Sequence, residues 1–301
     1  MKKLLVLIGL IGQTVFAQQV EVKSIDLLKG TEFGGYHFAV YSPQGTYLLT
    51  SSANYAGLKQ ITLETGEVKI ITQEPGAGYD VKISADESTI LFKKTEFINN
   101  LRYTSLYQYS LENKSVAKVE NASREKLTPA FAQNEPLFVK GKNLVRNAKT
   151  TAAVTPFITI DNKKMVLYSG NTSKILTPNG ENESYFWASV SPDGKHIAYA
   201  VAAKGTFVCK IDGTNVVSLG KKLNAPVWLN NQWIVGMDDI DDGTIVLSST
   251  IVASSIDGKV RQTLSTPSLK IAMYPAASPN GKQIAFETEK GEIYLMNINI
   301  K

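Results

Sequence analysis

The chain has 301 residues, of which 43% are hydrophobic and 20% charged, proportions that suit one large all-β domain or two average ones. Its single cysteine, Cys209, excludes an intrachain disulfide and any cysteine-built zinc site. With Lys2 and Lys3 set aside as part of a leader, 30 basic residues face 27 acidic ones, a balance that excludes a nucleic-acid partner.

Residues 1–17 read as a signal peptide, with Lys2 and Lys3, the apolar run from Leu4 to Ile11, and Val15-Phe16-Ala17 as a small-residue cleavage site. The run is far below the ~20 residues that a membrane span needs. No cysteine follows the cleavage site to carry a lipid. The expectation is a bacterial chain cleaved after Ala17, without a membrane span, and delivered to the periplasm or secreted.

Residues 18–30 alternate through Val20, Val22, Ile25, Leu27 and Leu28, which predicts a strand that belongs to no complete repeat. Stanzas then follow. Ser191-Pro-Asp-Gly-Lys-His-Ile-Ala-Tyr199 returns almost unchanged as Ser278-Pro-Asn-Gly-Lys-Gln-Ile-Ala-Phe286. Each copy reads as a strand, a turn and a second strand, because proline presets φ and glycine supplies the positive φ that the turn needs. Weaker copies begin at Tyr36, Tyr79, Pro129 and Pro226. The hairpin anchors Ser42, Ser84, Ala132, Ser191, Leu229 and Ser278 are spaced by 42, 48, 59, 38 and 49 residues. That is propeller spacing. Residues 129–178 count as a single stanza with an insertion around 143–161. Past the leader no segment has a helical period, and Val, Ile, Thr, Tyr and Phe dominate between Gly, Asn and Asp punctuation.

The last stanza stops one strand short, and the strand near the amino terminus is spare. The fold class expected is therefore all-β, a six-bladed β-propeller of four-stranded antiparallel blades. Residues 18–301 form its single domain, with 18–33 supplying the strand that closes the ring on the last blade.

The hairpin Ser-Pro-Asp-Gly-Lys followed by Ile-Ala-Tyr, together with Ser278-Pro-Asn-Gly-Lys-Gln-Ile-Ala-Phe286 and Ile293-Tyr-Leu295, resembles the WD-like Pro-Asp repeats of the TolB propeller superfamily. The resemblance is carried by the stanzas at Ser191 and Ser278 and is fainter elsewhere. It implies a periplasmic or secreted propeller that binds other proteins. The α/β domain that TolB carries ahead of its propeller is not expected here, since the first stanza starts about twenty residues after the cleavage site. Propellers also host lyases, hydrolases and peptidase lids, so fold alone transfers no function.

No Gly-x-Ser-x-Gly elbow is present. Of the two histidines, His37 aligns near the start of an inner strand by the channel, whereas His196 follows a turn on the opposite face, so they are not expected to meet. Tyr79, Tyr185, Trp187, Trp228 and Tyr274 also fall at or near the starts of inner strands. With His37 they are the candidate partner-binding residues, against the plainer reading of blade-to-blade packing. Asp238, Asp239, Asp241 and Asp242 crowd four carboxylates into five positions. An acidic hairpin closed by Asp-Gly explains them without an ion, and calcium is the ion they would hold. The function expected is a non-enzymatic, monomeric protein- or peptide-binding module whose partner is another envelope or secreted protein, with no cofactor. The alternative is a propeller enzyme, a glycan lyase or hydrolase or a peptidase-like one, that uses channel-lining carboxylates.

Overall fold

The computed structural model describes residues 19–146, 152–265, 269 and 271–301. The signal peptide expected over 1–17, with its cleavage site, lies outside them. The first described strand, β1 (Val20–Leu27), belongs to the last blade. Blade 1 is β2 (His37–Tyr41), β3 (Tyr47–Ser51), β4 (Leu58–Thr62) and β5 (Val68–Thr72), and blade 2 is β6 (Lys82–Ile83), β7 (Thr89–Ile98), β8 (Leu101–Ser110) and β9 (Ser115–Ser123). Blade 3 is β10 (Leu127–Ala132), β11 (Glu135–Lys140) and β12 (Asn143–Arg146), and blade 4 is β13 (Phe157–Asp161), β14 (Lys164–Ser169) and β15 (Thr172–Leu176). Blade 5 is β16 (Tyr185–Val190), β17 (His196–Val201), β18 (Gly205–Lys210) and β19 (Val217–Gly220). Blade 6 is β20 (Asn224–Trp228), β21 (Trp233–Asp241), β22 (Val246–Ser255) and β23 (Arg261–Thr263). Blade 7 is β24 (Met273–Ala277), β25 (Gln283–Glu287) and β26 (Ile293–Ile300), completed by β1.

The propeller thus has seven blades, which corrects the expected six, and among the described residues two of them have three strands rather than four. The stanza read over residues 129–178 is two blades. The first hairpin of the second of these blades turns through Asn162 and Lys163, both at positive φ (44° and 64°). That is the two-residue hairpin geometry, and it carries no Pro-Asp-Gly signature.

Elsewhere the signature acts as expected. Ser191 Oγ accepts the His196 amide at 2.9 Å and the Lys195 amide at 3.2 Å and donates to Asp193 Oδ1 at 2.6 Å. Ser278 repeats this with Gln283 and Asn280, and Ser84 with Thr89 and Asp86. Glycine supplies the positive φ at Gly194 and Gly281. In the second stanza, which lacks that glycine, Glu87 adopts φ 58° instead.

Second strands are buried on both faces, and their alternation feeds two neighbours. Ile197, Tyr199 and Val201 pack toward blade 4, and Ala198 packs toward blade 6. Each of the seven interfaces has its own apolar core in this way, so the ring as a whole has no central one. Cys209 lies in one of these cores, where burial pushes its thiol up to about 12. β1 pairs antiparallel with β26 from Val20 opposite Ile300 to Leu27 opposite Tyr294. The ring is closed by the two ends of the chain, as the spare strand predicted.

Candidate binding face at the channel mouth

Five of the inner strands open with the same irregularity. Phe38, Asp80, Trp187, Ala225 and Tyr274 each sit four positions before Ser42, Ser84, Ser191, Leu229 and Ser278, and all five have left-handed backbones, with φ between 46° and 59°. A non-glycine residue pays roughly 1–2 kcal/mol for that conformation. In blades 1, 5, 6 and 7 the strand register shifts at this point, and in blade 2 pairing begins only at Lys82. Such bulges re-aim a side chain. All five residues line one cavity of about 710 Å³ along the axis.

Aromatic rings crowd one side of its mouth. Phe38 stacks on Tyr55 at 4.1 Å and meets Tyr274 edge-on at 5.1 Å, while Tyr55 meets Tyr79 edge-on at 5.4 Å. Tyr79 and Trp187 remain 47% and 42% exposed. Lys93 Nζ lies 4.7 Å over the Tyr79 ring. It also lies 3.1 Å from Asp80, whose other oxygen is 3.0 Å from Lys82. Burial would raise the Asp80 carboxyl, but the two lysines outweigh it and hold the carboxyl below its ordinary value. The lysines differ in turn: Asp80 raises Lys82, which is 45% exposed, whereas burial lowers Lys93, which is 6% exposed.

The sequence candidates divide. Tyr79, Trp187 and Tyr274 line the channel. His37 is buried beside Glu287 at 2.9 Å, which makes it a latch between blades 1 and 7. Tyr185 is buried in the core between blades 4 and 5, its hydroxyl donating to Gly180 O and accepting from Asn179 N. Trp228 packs between blades 5 and 6 and donates to Ser189 O at 3.2 Å. Phe38, Tyr55, Asp80, Lys82 and Lys126 line the channel without having been singled out by sequence. The one usable signal was the position four residues before each turn.

His196 starts β17, at the far end of its blade from the mouth, so the two histidines do not meet. The four aspartates also part company. Asp238 pairs with Arg261 at 3.1 Å and Lys222 at 3.7 Å, and Asp239 accepts from Asn224 Nδ2 at 2.7 Å. Asp241 and Asp242 cap the amides of Gly243, Thr244 and Ile245. Among the described residues no three His, Cys, Asp or Glu side chains converge as a metal site would require.

No family profile matches the chain, and no curated protein matches it. Solved structures do. TolB from Acinetobacter baumannii is 16% identical with TM-score 0.55, covering 86% of this chain and 66% of that one. A putative TolB from Agrobacterium tumefaciens is 13% identical with TM-score 0.56 (94% and 98% covered). The oligogalacturonate lyase from Vibrio parahaemolyticus is 15% identical with TM-score 0.50 (89% and 79% covered). The class of protein is thus a β-propeller with the TolB-like fold. At these identities the likeness is one of fold.

Proposed function

We propose that the protein is a periplasmic or secreted binding module that docks another protein on the face carrying the channel mouth. The observation behind this reading is where one group of its exposed apolar side chains lies; Ile70, Val116, Ile175 and Val216 are exposed singly on or beside outer strands. The β7–β8 hairpin projects past the mouth and bears Phe97, Ile98 and Leu101 at its tip, and the β21–β22 hairpin does the same with Ile240 and Ile245. Phe33, fully exposed, stands between them on the loop leading into β2. Apolar side chains gathered on one face mark an interaction surface, whereas scattered ones do not. The same face carries the aromatic mouth.

An enzyme working through channel-lining carboxylates would need one of them free to exchange protons. Asp80 is engaged by two lysines, and Glu287 lies behind Phe38 with both oxygens engaged. TolB and oligogalacturonate lyase both use this fold, so the fold favours neither. The test is capture from an envelope extract by the mature chain and by a variant with Phe97→Ser, Leu101→Ser, Ile240→Ser and Ile245→Ser. One dominant protein held by the first and lost by the second supports the reading. Turnover of a polyuronate, glycan or peptide library by the purified chain would overturn it.

A further inference from the structure

Charge at the mouth narrows what kind of segment enters it, an argument that rests on the docking reading above. Asp80 is the one carboxylate among the described residues lining the channel; Lys82 and Lys93 pair with it, and Lys126 lines the same cavity. Lys93 is its buried counter-ion. Lys82 reaches Asp80 as well but keeps nearly half its side chain open to the channel. Lys126, exposed at the start of blade 3, donates to Ile160 O, a neutral partner that leaves its charge uncompensated. Two cations thus line one wall of a cavity about 710 Å³ in volume. Walls of low dielectric focus such a field. Trp187 on blade 5 and Tyr274 on blade 7, with Phe38 on blade 1 beside blade 2, present ring surface to the same cavity with no lining acid among them.

We infer that the channel mouth receives an extended acidic segment of the docked protein, its carboxylates meeting Lys82 and Lys126 and its apolar side chains lying on Phe38, Tyr274 and Trp187. Lysine ammonium groups of this kind select charge without fixing a planar fork, which suits a flexible peptide. The other acids on this face lie outside the channel lining: Glu287 is held by His37 and the Phe38 amide, Asp239 by the neutral Asn224, and Asp241 and Asp242 cap amides at the β21–β22 tip.

Trp187 supplies the readout, since Trp233 is buried and Trp228 is packed between blades. The mature chain is titrated with three nine-residue peptides, repeats of Glu-Gly-Tyr, Gln-Gly-Tyr and Lys-Gly-Tyr, and with trigalacturonate. Trp187→Phe serves as the silent control. The expected result is that the glutamate peptide shifts Trp187 emission with at least about tenfold higher affinity than the lysine peptide. The preference weakens as salt is raised and falls about tenfold in Lys82→Gln/Lys126→Gln. Because Lys82 also pairs with Asp80, Lys126→Gln alone, which leaves that pair intact, is expected to lower the preference in part with a melting temperature near that of the parent. Equal binding of all three peptides overturns the charge inference and leaves the docking reading standing. No response to any peptide overturns both at this mouth. Tighter binding of trigalacturonate than of the glutamate peptide overturns the peptide as occupant.

Discussion

His37 Nδ1 lies 2.9 Å from Glu287 Oε1, and the second oxygen of Glu287 takes the amide of Phe38 at 2.6 Å. One buried carboxylate of blade 7 thereby ties down the first two residues of β2 in blade 1, including the left-handed one that lines the channel. Gly291 is bare for the same reason, because a Cβ there would come within 2.7 Å of His37 Nε2 and of the Tyr36 amide.

Replacing Glu287 should separate structure from charge. Glu287→Ala leaves the Phe38 amide and the imidazole without their partner and is expected to cost about 1–3 kcal/mol, whereas Glu287→Gln, which keeps an acceptor, costs less. Denaturant unfolding of the two variants checks the order. Equal losses would mean that the carboxylate does not hold Phe38.

The buried carboxylate of Glu287 and the half-buried one of Asp80 should give opposite pH dependences. Burial raises Glu287 in spite of its His37 and Phe38 bonds. A carboxyl raised in the folded state contributes stability that is present below its unfolded value, about 4.3, and is lost as pH rises through its folded value. Asp80 is lowered, so its contribution is present above the unfolded value of about 3.9 and is lost as pH falls through the folded one. Melting temperatures followed from about pH 3 to pH 8 should show a flatter acid limb in Asp80→Asn and a smaller loss on raising pH in Glu287→Gln. An unchanged acid limb in Asp80→Asn would show that Lys82 and Lys93 do not stabilise that charge.

Trp187 and Trp228 should respond oppositely to truncation. Trp187 is 42% exposed at φ 50°, so Trp187→Gly relieves the left-handed strain and should hold or raise stability by up to about 1 kcal/mol. Trp228→Ala removes inter-blade packing and should cost about 3–5 kcal/mol. Thermal unfolding decides, and a loss above about 1 kcal/mol at Trp187 would show the mouth to be part of the core.

Closure makes the strongest stability prediction. Val20 and Leu28 are buried, Val22 and Ile25 pack against the core between blades 6 and 7, and Gln262 Nε2 reaches Val20 O at 2.6 Å. Each fully buried aliphatic is worth about 1.5–3 kcal/mol as an upper estimate. Against a total of roughly 5–15 kcal/mol, a chain beginning at Thr31 should unfold or aggregate through the exposed β26 edge, while one beginning at Gln18 folds. Equal melting temperatures and solubility would refute closure by β1.

Much of the fold was legible because its causes are local. The Ser191 and Ser278 turns are held by hydrogen bonds within five residues, so the sequence alone determines the hairpins. Alternation in Ile197, Tyr199 and Val201 determines that blades stack, and the spare strand beside a short last stanza determines how the ring closes. The blade number was decided by tertiary packing. Asn162-Lys163 turns a hairpin as well as Pro-Asp-Gly does, and only the cores between blades 2 and 3, 3 and 4, and 4 and 5 separate two three-stranded blades from one long stanza. The mouth divides in the same way. Aromatics at inner-strand starts are visible in sequence, but whether one lines the channel, as Trp187 does, or fills a core, as Tyr185 does two residues earlier, depends on a backbone twist imposed by the neighbouring strand. The convergence of Lys82 and Lys126 joins residues of two adjacent blades on one wall of the channel, and no local pattern encodes it.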